Sequence, residues 1–177
     1  MRIEDFSNDY TARALCKNDI DNIFLLCSSN TLFYQYHPPF VTRESILKDM
    51  NALPPNKTFD DKLYFGFFHS NKLVAIMDLI LGYPNERTAF IGLFMVDAEY
   101  QGQGVGSRII EHCVSVIKQA GFDFIRLGID KGNPQSERFW SKNKFTETGE
   151  VREQENTAII LMERYINGVH HTKNATE

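Results

Sequence analysis

Gln101-Gly102-Gln103-Gly104-Val105-Gly106 places glycines at alternate positions between an apolar strand pattern and a long amphipathic helix pattern. Such glycines let the backbone turn tightly and keep side chains out of its path. The first turn of the following helix leaves N–H groups unpaired and carries partial positive charge. Together these make a cradle for an anion, most naturally a phosphate or pyrophosphate. A Walker loop would end in Lys-Ser/Thr, which Ser107-Arg108 does not supply. A dinucleotide fingerprint would carry its third glycine where Ser107 stands. Asp130 does end the next strand, where a ribose-binding acid would stand, but no second crossover unit follows it.

Around this loop the chain reads as alternating elements. Thr88–Val96 is the strand before it. The helix after it has the apolar face Val105, Ile109, Cys113, Val116, Ile117 and Ala120, with Gly121 as a stop. Phe124–Ile129 is a strand, and Asn133 caps a short helix with Pro134 at its first position. Thr146–Arg152 and Thr157–Tyr165 form a final hairpin around the polar turn Glu153–Asn156. Upstream, Tyr10–Leu15 is a short strand. Asn18 caps a first helix with Ile20, Ile23, Phe24 and Cys27 on one face. Tyr34–Phe40, rich in rings and prolines, reads as a loop. Thr42 caps a second helix carrying Ile46, Leu47 and Met50. Leu63–His69 and Lys72–Leu81 make a hairpin about Ser70-Asn71. The order is β-α-α-β-β-β-α-β-α-β-β, an α+β layout.

Composition bounds what this fold can do. The 177 residues suit one domain, with 42% hydrophobic and 24% charged side chains. The net charge of −4 argues against a non-specific nucleic-acid binder and favours, weakly, a cationic small molecule. No apolar run approaches a membrane span, and Met1–Tyr10 shows no signal pattern, so a cytoplasmic address is expected. Cys16, Cys27 and Cys113 are widely spaced among apolar residues and are expected to be reduced and buried. No metal site is expected. His170 and His171, in the polar tail, are expected to be solvated.

Gln101-x-x-Gly104-x-Gly106 resembles the acyl-CoA pyrophosphate loop of the GNAT superfamily of N-acetyltransferases. Asn133-Pro134-Gln135-Ser136-Glu137-Arg138-Phe139-Trp140-Ser141-Lys142-Asn143-Lys144-Phe145 resembles that family's Asn-x-x-(Ala/Ser)-x-x-Phe-Tyr-x-Lys-x-Gly-Phe pattern. Met95–Tyr100 is similar to the usual end of its fourth core strand. The resemblance implies a GNAT fold with a mixed central sheet of about seven strands, split in a V between the fourth and fifth. It divides the chain into a lead-in (1–9), an N-acetyltransferase domain (10–167) and a flexible tail (168–177).

The resemblance also implies acetyl-CoA as cosubstrate, lying in the V. Its pantetheine arm would run along Phe94, Met95 and Val96, with the thioester carbonyl on a backbone N–H near Phe94. Gly102 and the N–H groups of Gln103, Gly104, Val105, Gly106 and Ser107 would hold the pyrophosphate. Gln101 would add a side-chain contact, without the charge of the Arg often found there. Asn133, Ser136 and Phe139 would touch the cofactor arm, and Trp140 would lie near the sulfur. Arg108, Arg138 and Lys142 are the basic residues near enough in sequence to help. The acceptor would be a primary amine of a small molecule or peptide, and the assembly can be a homodimer. The rival reading is an acyl-CoA-binding module with little catalysis.

The acid and base are less defined. Many relatives have Tyr at the Trp140 position as proton donor, and indole does not ionise usefully. Trp140 then orients the sulfur, shapes the pocket or only packs. Asp78 interrupts an apolar strand, which marks it either as the general base or as a structural hydrogen-bonding group. Asp130, Glu99, Tyr83 and Tyr165 are further candidates, and a water chain is an alternative. Phe33, Tyr34, Tyr36, Phe40 and Tyr165 are candidates for an acceptor wall, with Asp60, Asp61 and Asp78 adding negative charge. A ping-pong route through Cys113 is not expected, because it falls on the core face of its helix.

Overall fold

In the computed structural model the described residues are 1–153 and 157–168. The expected turn beyond Glu153, and the tail beyond Gly168 with His170 and His171, lie outside them. The chain runs β1 (Thr11–Ala14), α1 (Ile20–Ser28), α2 (Thr31–Tyr36), α3 (Arg43–Asn51), β2 (Lys62–His69) and β3 (Lys72–Leu81). It continues through β4 (Thr88–Val96), α4 (Val105–Gln119), β5 (Phe124–Asp130), α5 (Pro134–Lys142), β6 (Thr146–Glu153) and β7 (Ala158–Tyr165). The strands form one seven-stranded sheet in the order β1-β2-β3-β4-β5-β7-β6. Among the described residues, only β4 and β5 pair in parallel, as their helical crossover α4 requires.

The period of two along each strand divides the core between two faces. Phe65, Phe67, Met77 and Leu79 meet Ile109, Ile110, Cys113 and Ile117 of α4 on one side. Tyr64, Phe68 and Ile76 meet Ile23, Leu26 and Cys27 of α1 and Ile46 of α3 on the other. The α4 stripe differs from its sequence pattern. Ile110 and Val114 are buried, which widens the stripe at mid-helix, while Ala120 is the C-cap beyond the last helical residue and is exposed.

Three local expectations are corrected. Residues 34–36 of the expected aromatic loop belong to α2, which stops at Tyr36 because Pro38 disfavours helical geometry at His37. Helix α1 begins at Ile20 and not after Asn18, which lies within a 3-10 turn over Lys17–Asp19. The Asp19 carboxylate accepts from the Cys16 N–H and from Arg13, which accounts for the tighter turn. Cys16 is exposed, whereas Cys27 and Cys113 are buried as their neighbours suggest.

The sheet opens where the site lies. The last rung between β4 and β5 is Ile91↔Leu127, yet the strands continue to Val96 and Asp130. On the other side of β4 the β3 register slips between Asp78 and Leu79. At one margin of the sheet, β6 is mostly exposed and its pairing with β7 breaks between Glu147 and Val151.

Candidate active site

Strand β4 runs into a 3-10 turn over Ala98–Tyr100, capped by the Asp97 carboxylate, which accepts the Glu99 N–H at 2.9 Å. The glycine loop follows. Gly104 has φ +78°, a left-handed conformation that costs a side-chain-bearing residue energy, and it sits at the cap of α4. The Arg108 N–H is the first to find a helical partner, Gly104 O at 3.1 Å. Among the described residues, the N–H groups of 102–107 have none.

This row of donors edges a cleft of about 290 Å³. Phe94, Met95 and Val96 wall it from β4; Gln101, Gly102, Gly104, Val105, Gly106 and Ser107 wall it from the loop. Ser136, Phe139 and Trp140 face them from α5, joined by Lys142. Gln103 and Asn133 are not on the wall. Gln103 turns its amide back to Glu99 O at 2.7 Å. Asn133, 1% exposed, caps α5 by accepting the Gln135 and Ser136 N–H groups, and its Nδ2 has no partner. The Gln101 amide is engaged inside the protein: Nε2 donates to Asn30 Oδ1 at 2.6 Å and to Val96 O at 2.8 Å. Gln135 Nε2 donates to Gln101 Oε1. Of the basic candidates, Lys142 lines the cleft, Arg108 donates to Gln103 O, and Arg138 is off the wall.

A second cavity of about 550 Å³ lies on the α1–α3 side of the same split. Asp78 and Asp130 line it, both buried, together with Asp49 of α3. Asp78 Oδ2 accepts from Lys62 Nζ at 2.8 Å, and its Oδ1 has no hydrogen-bond partner. Burial pushes the Asp78 carboxyl up, and the Lys62 bond only partly opposes it. Gly92 lets β4 pass this carboxylate: a Cβ there would come within 2.9 Å of Asp78 Oδ2. Asp130 meets His37, whose Nδ1 lies 3.0 Å from Oδ1; this bond raises the imidazole pKa. Desolvation raises Asp49 as well. Burial raises the Tyr34 and Tyr64 phenols, and it pushes the Cys27 thiol up to about 11.

Of the expected acceptor wall, Phe33, Tyr34 and Asp78 line this cavity, as does Tyr83. The others do not. Phe40 packs on Tyr34 from outside, Tyr165 packs on Phe124, and Tyr36 is off the wall. Asp61 is paired with Lys57 beside Asp60 in a 3-10 turn, and Glu99 with Lys72 at the surface. Sequence reading misses His37, Asp49 and Lys62.

Phe33, Phe94, Ser136 and Trp140 line both cavities, so the two spaces meet there. Trp140 is held by rings: Phe139 and Phe145 at 5.0 Å, and Phe94 at 6.0 Å. Residues 27–145, which contain this junction and most of both walls, match the model of the acetyltransferase (GNAT) family. The chain belongs to that family.

Solved structures agree on the fold of this GNAT enzyme. The ribosomal-protein-S18-alanine N-acetyltransferase from Escherichia coli is 17% identical, with a TM-score of 0.66 over 92% of this chain and 97% of that one. An acetyltransferase from Thermus thermophilus gives 18% identity and a TM-score of 0.68, over 87% and 95%. The PaiA N-acetyltransferase from Thermoplasma acidophilum, solved with coenzyme A, gives 18% and 0.62, over 87% and 97%. A search of curated protein sequences finds no match. Among the described residues of this acyltransferase, no helix is long and apolar enough to cross a membrane. Among the same residues, no group of three or more His, Cys, Asp or Glu side chains could hold a metal ion.

Proposed function

We propose that this GNAT enzyme is an acetyl-CoA-dependent N-acetyltransferase that passes the acetyl group directly to a primary amine of a small molecule or peptide. The observation that carries the reading is the meeting of the two cavities at Phe94 and Trp140. One cavity is edged by unpartnered backbone donors at a helix N-terminus, and the other is lined by carboxylates and rings. The residues fit the cosubstrate, since the N–H row of 102–107 is suited to a pyrophosphate. Bound acetyl-CoA supplies the thioester carbonyl that the amine attacks.

The chain's own groups do the rest. The loop N–H groups and Lys142 hold the phosphates. Asn133 keeps the start of α5, and so Ser136, in place beside the cofactor arm. The backbone beyond Ile91 has left its β5 partner, and the Phe94 N–H there stabilises the developing oxyanion by about a few kcal/mol. Trp140 and Phe139 shape the junction around the sulfur. A thiolate with pKa about 8.5 leaves without help from an acid, so the indole needs no proton to give. Asp78 lends negative potential to the acceptor cavity and holds Lys62. Phe33 and Tyr34 offer cation–π faces to an ammonium group.

The test is thiol release from acetyl-CoA with putrescine, spermidine, phenethylamine, glycinamide and an alanine-initiated tripeptide. Turnover above hydrolysis with at least one of these is expected, along with a rise in Tm on adding CoA. Stabilisation by CoA with no turnover would replace the enzyme with a binding module. No stabilisation would overturn the assignment of the cleft.

A further inference from the structure

We propose that His37, oriented by Asp130, is the general base that takes the proton from the acceptor's ammonium group; this rests on the acetyl-transfer reading above. Asp130 is 4% exposed, and the only hydrogen-bond partner of its carboxylate among the described residues is His37 Nδ1, 3.0 Å from Oδ1 and 3.2 Å from Oδ2. The pair joins positions 93 residues apart, at the ends of α2 and β5, and both side chains line the acceptor cavity. An Nδ1–H held by a carboxylate leaves the lone pair on Nε2. Nε2 has no partner among the described residues, and the His37 side chain, which lines the cavity, is 48% exposed. The ring lies 5.1 Å from Phe33, one of the residues where acceptor cavity and donor cleft meet.

The other groups around the cavity are less suited. Asp78 is the counter-ion of the buried Lys62, and protonating it would strand that ammonium. The phenol of Tyr34 and the thiol of Cys27 are held protonated by burial. Asp49 of α3 faces His37 as a second negative charge and reinforces its proton affinity. Arg152 of β6 is the remaining cation on the wall.

The step balances as follows. Nε2 takes one proton from R–NH3⁺. The freed amine forms a C–N bond to the thioester carbon, and the C–S bond breaks. CoA leaves as thiolate and takes the second N–H proton, while His37 returns the first to solvent.

The experiment measures kcat against pH for wild type, His37→Gln, His37→Ala and Asp130→Asn. It uses acetyl-CoA and the amine of the panel that wild type turns over fastest, with CoA binding followed by Tm shift. Wild-type kcat is expected to rise with pH through the raised imidazole pKa and then level. His37→Gln should lower kcat by about 100-fold with KM changed only a few-fold and the acidic limb gone. Added imidazole should restore part of the His37→Ala loss, and Asp130→Asn should move the limb to lower pH. A His37→Gln enzyme that keeps the wild-type limb, or loses less than about threefold in kcat, overturns the proposal while leaving acetyl transfer intact. An unrescued His37→Ala enzyme with an unmoved limb in Asp130→Asn overturns it too. A wild type without turnover on any amine overturns acetyl transfer and this base together.

Discussion

The donor cleft draws its β4 and loop wall from one short piece of chain, residues 94–107, and its chemistry there is mostly backbone. The acceptor cavity draws on residues from Cys27 to Leu161, and its chemistry is carried by side chains that meet only after the sheet has formed. A backbone cradle depends on local conformation and tolerates side-chain change. A side-chain cavity depends on long-range packing and on how each buried charge is compensated.

Replacing Lys62 tests that dependence most severely. Lys62→Met leaves the Asp78 carboxylate buried without its counter-ion, and stability should fall by about 3 kcal/mol in urea denaturation. Adding Asp78→Leu to it should recover most of the loss; a double variant as weak as the single would show that the charge pair is not what holds this wall. Gly104→Glu attacks the other side. Left-handed geometry disfavours Glu by about 1–2 kcal/mol, and its carboxylate would face the phosphates. CoA affinity by calorimetry should drop about 100-fold, or about 2.7 kcal/mol, and unchanged affinity would break the backbone-cradle account.

Acid should loosen the acceptor-side helices before the cleft. Arg13 holds Asp19 down at about 2, against a usual 3.8. The folded pKa is depressed, so the pair's stabilisation is full above pH 4 and is lost as pH falls toward 2. Half-exposed Arg13 screens the interaction, leaving about 1 kcal/mol. The stability gap between wild type and Asp19→Asn should therefore narrow as pH falls from about 4 through about 2 in urea melts; a constant gap would detach Asp19 from acid sensitivity. The smallest effect is expected at Gln101→Ala. Its amide is already spent on Asn30, Val96 and Gln135, so CoA affinity should change less than about threefold, with no change in salt dependence. A tenfold loss would show the amide turning out to the ligand.

The same contrast explains what can be read from residues alone. The seven strands, helices α3, α4 and α5, the glycine loop and the Asn133 cap are short-range features, and each appears close to where the spacing places it. The stretch Tyr34–Phe40 misleads because rings and prolines mark irregular chain, whereas α2 takes in its first three residues and ends before Pro38. Asp78 is visible as a charge in an apolar strand, but Lys62 looks like an ordinary strand-leading lysine. His37 gives no signal, since nothing local ties it to Asp130. The split itself is half visible: a parallel pair follows from the crossover, but where its rungs stop is set by packing.

The margin of the sheet at β6 has a consequence for the molecule in a crowded solution. A foreign extended segment can dock only on a straight, uninterrupted row of free amides and carbonyls. Here that row is broken between Glu147 and Val151, and Glu147, Glu150 and Glu153 stand along it. At the opposite margin β1 is only four residues long. Both ends of the sheet therefore offer poor seeds for fibre growth, and the broken strand discourages runaway polymerisation through its own irregularity.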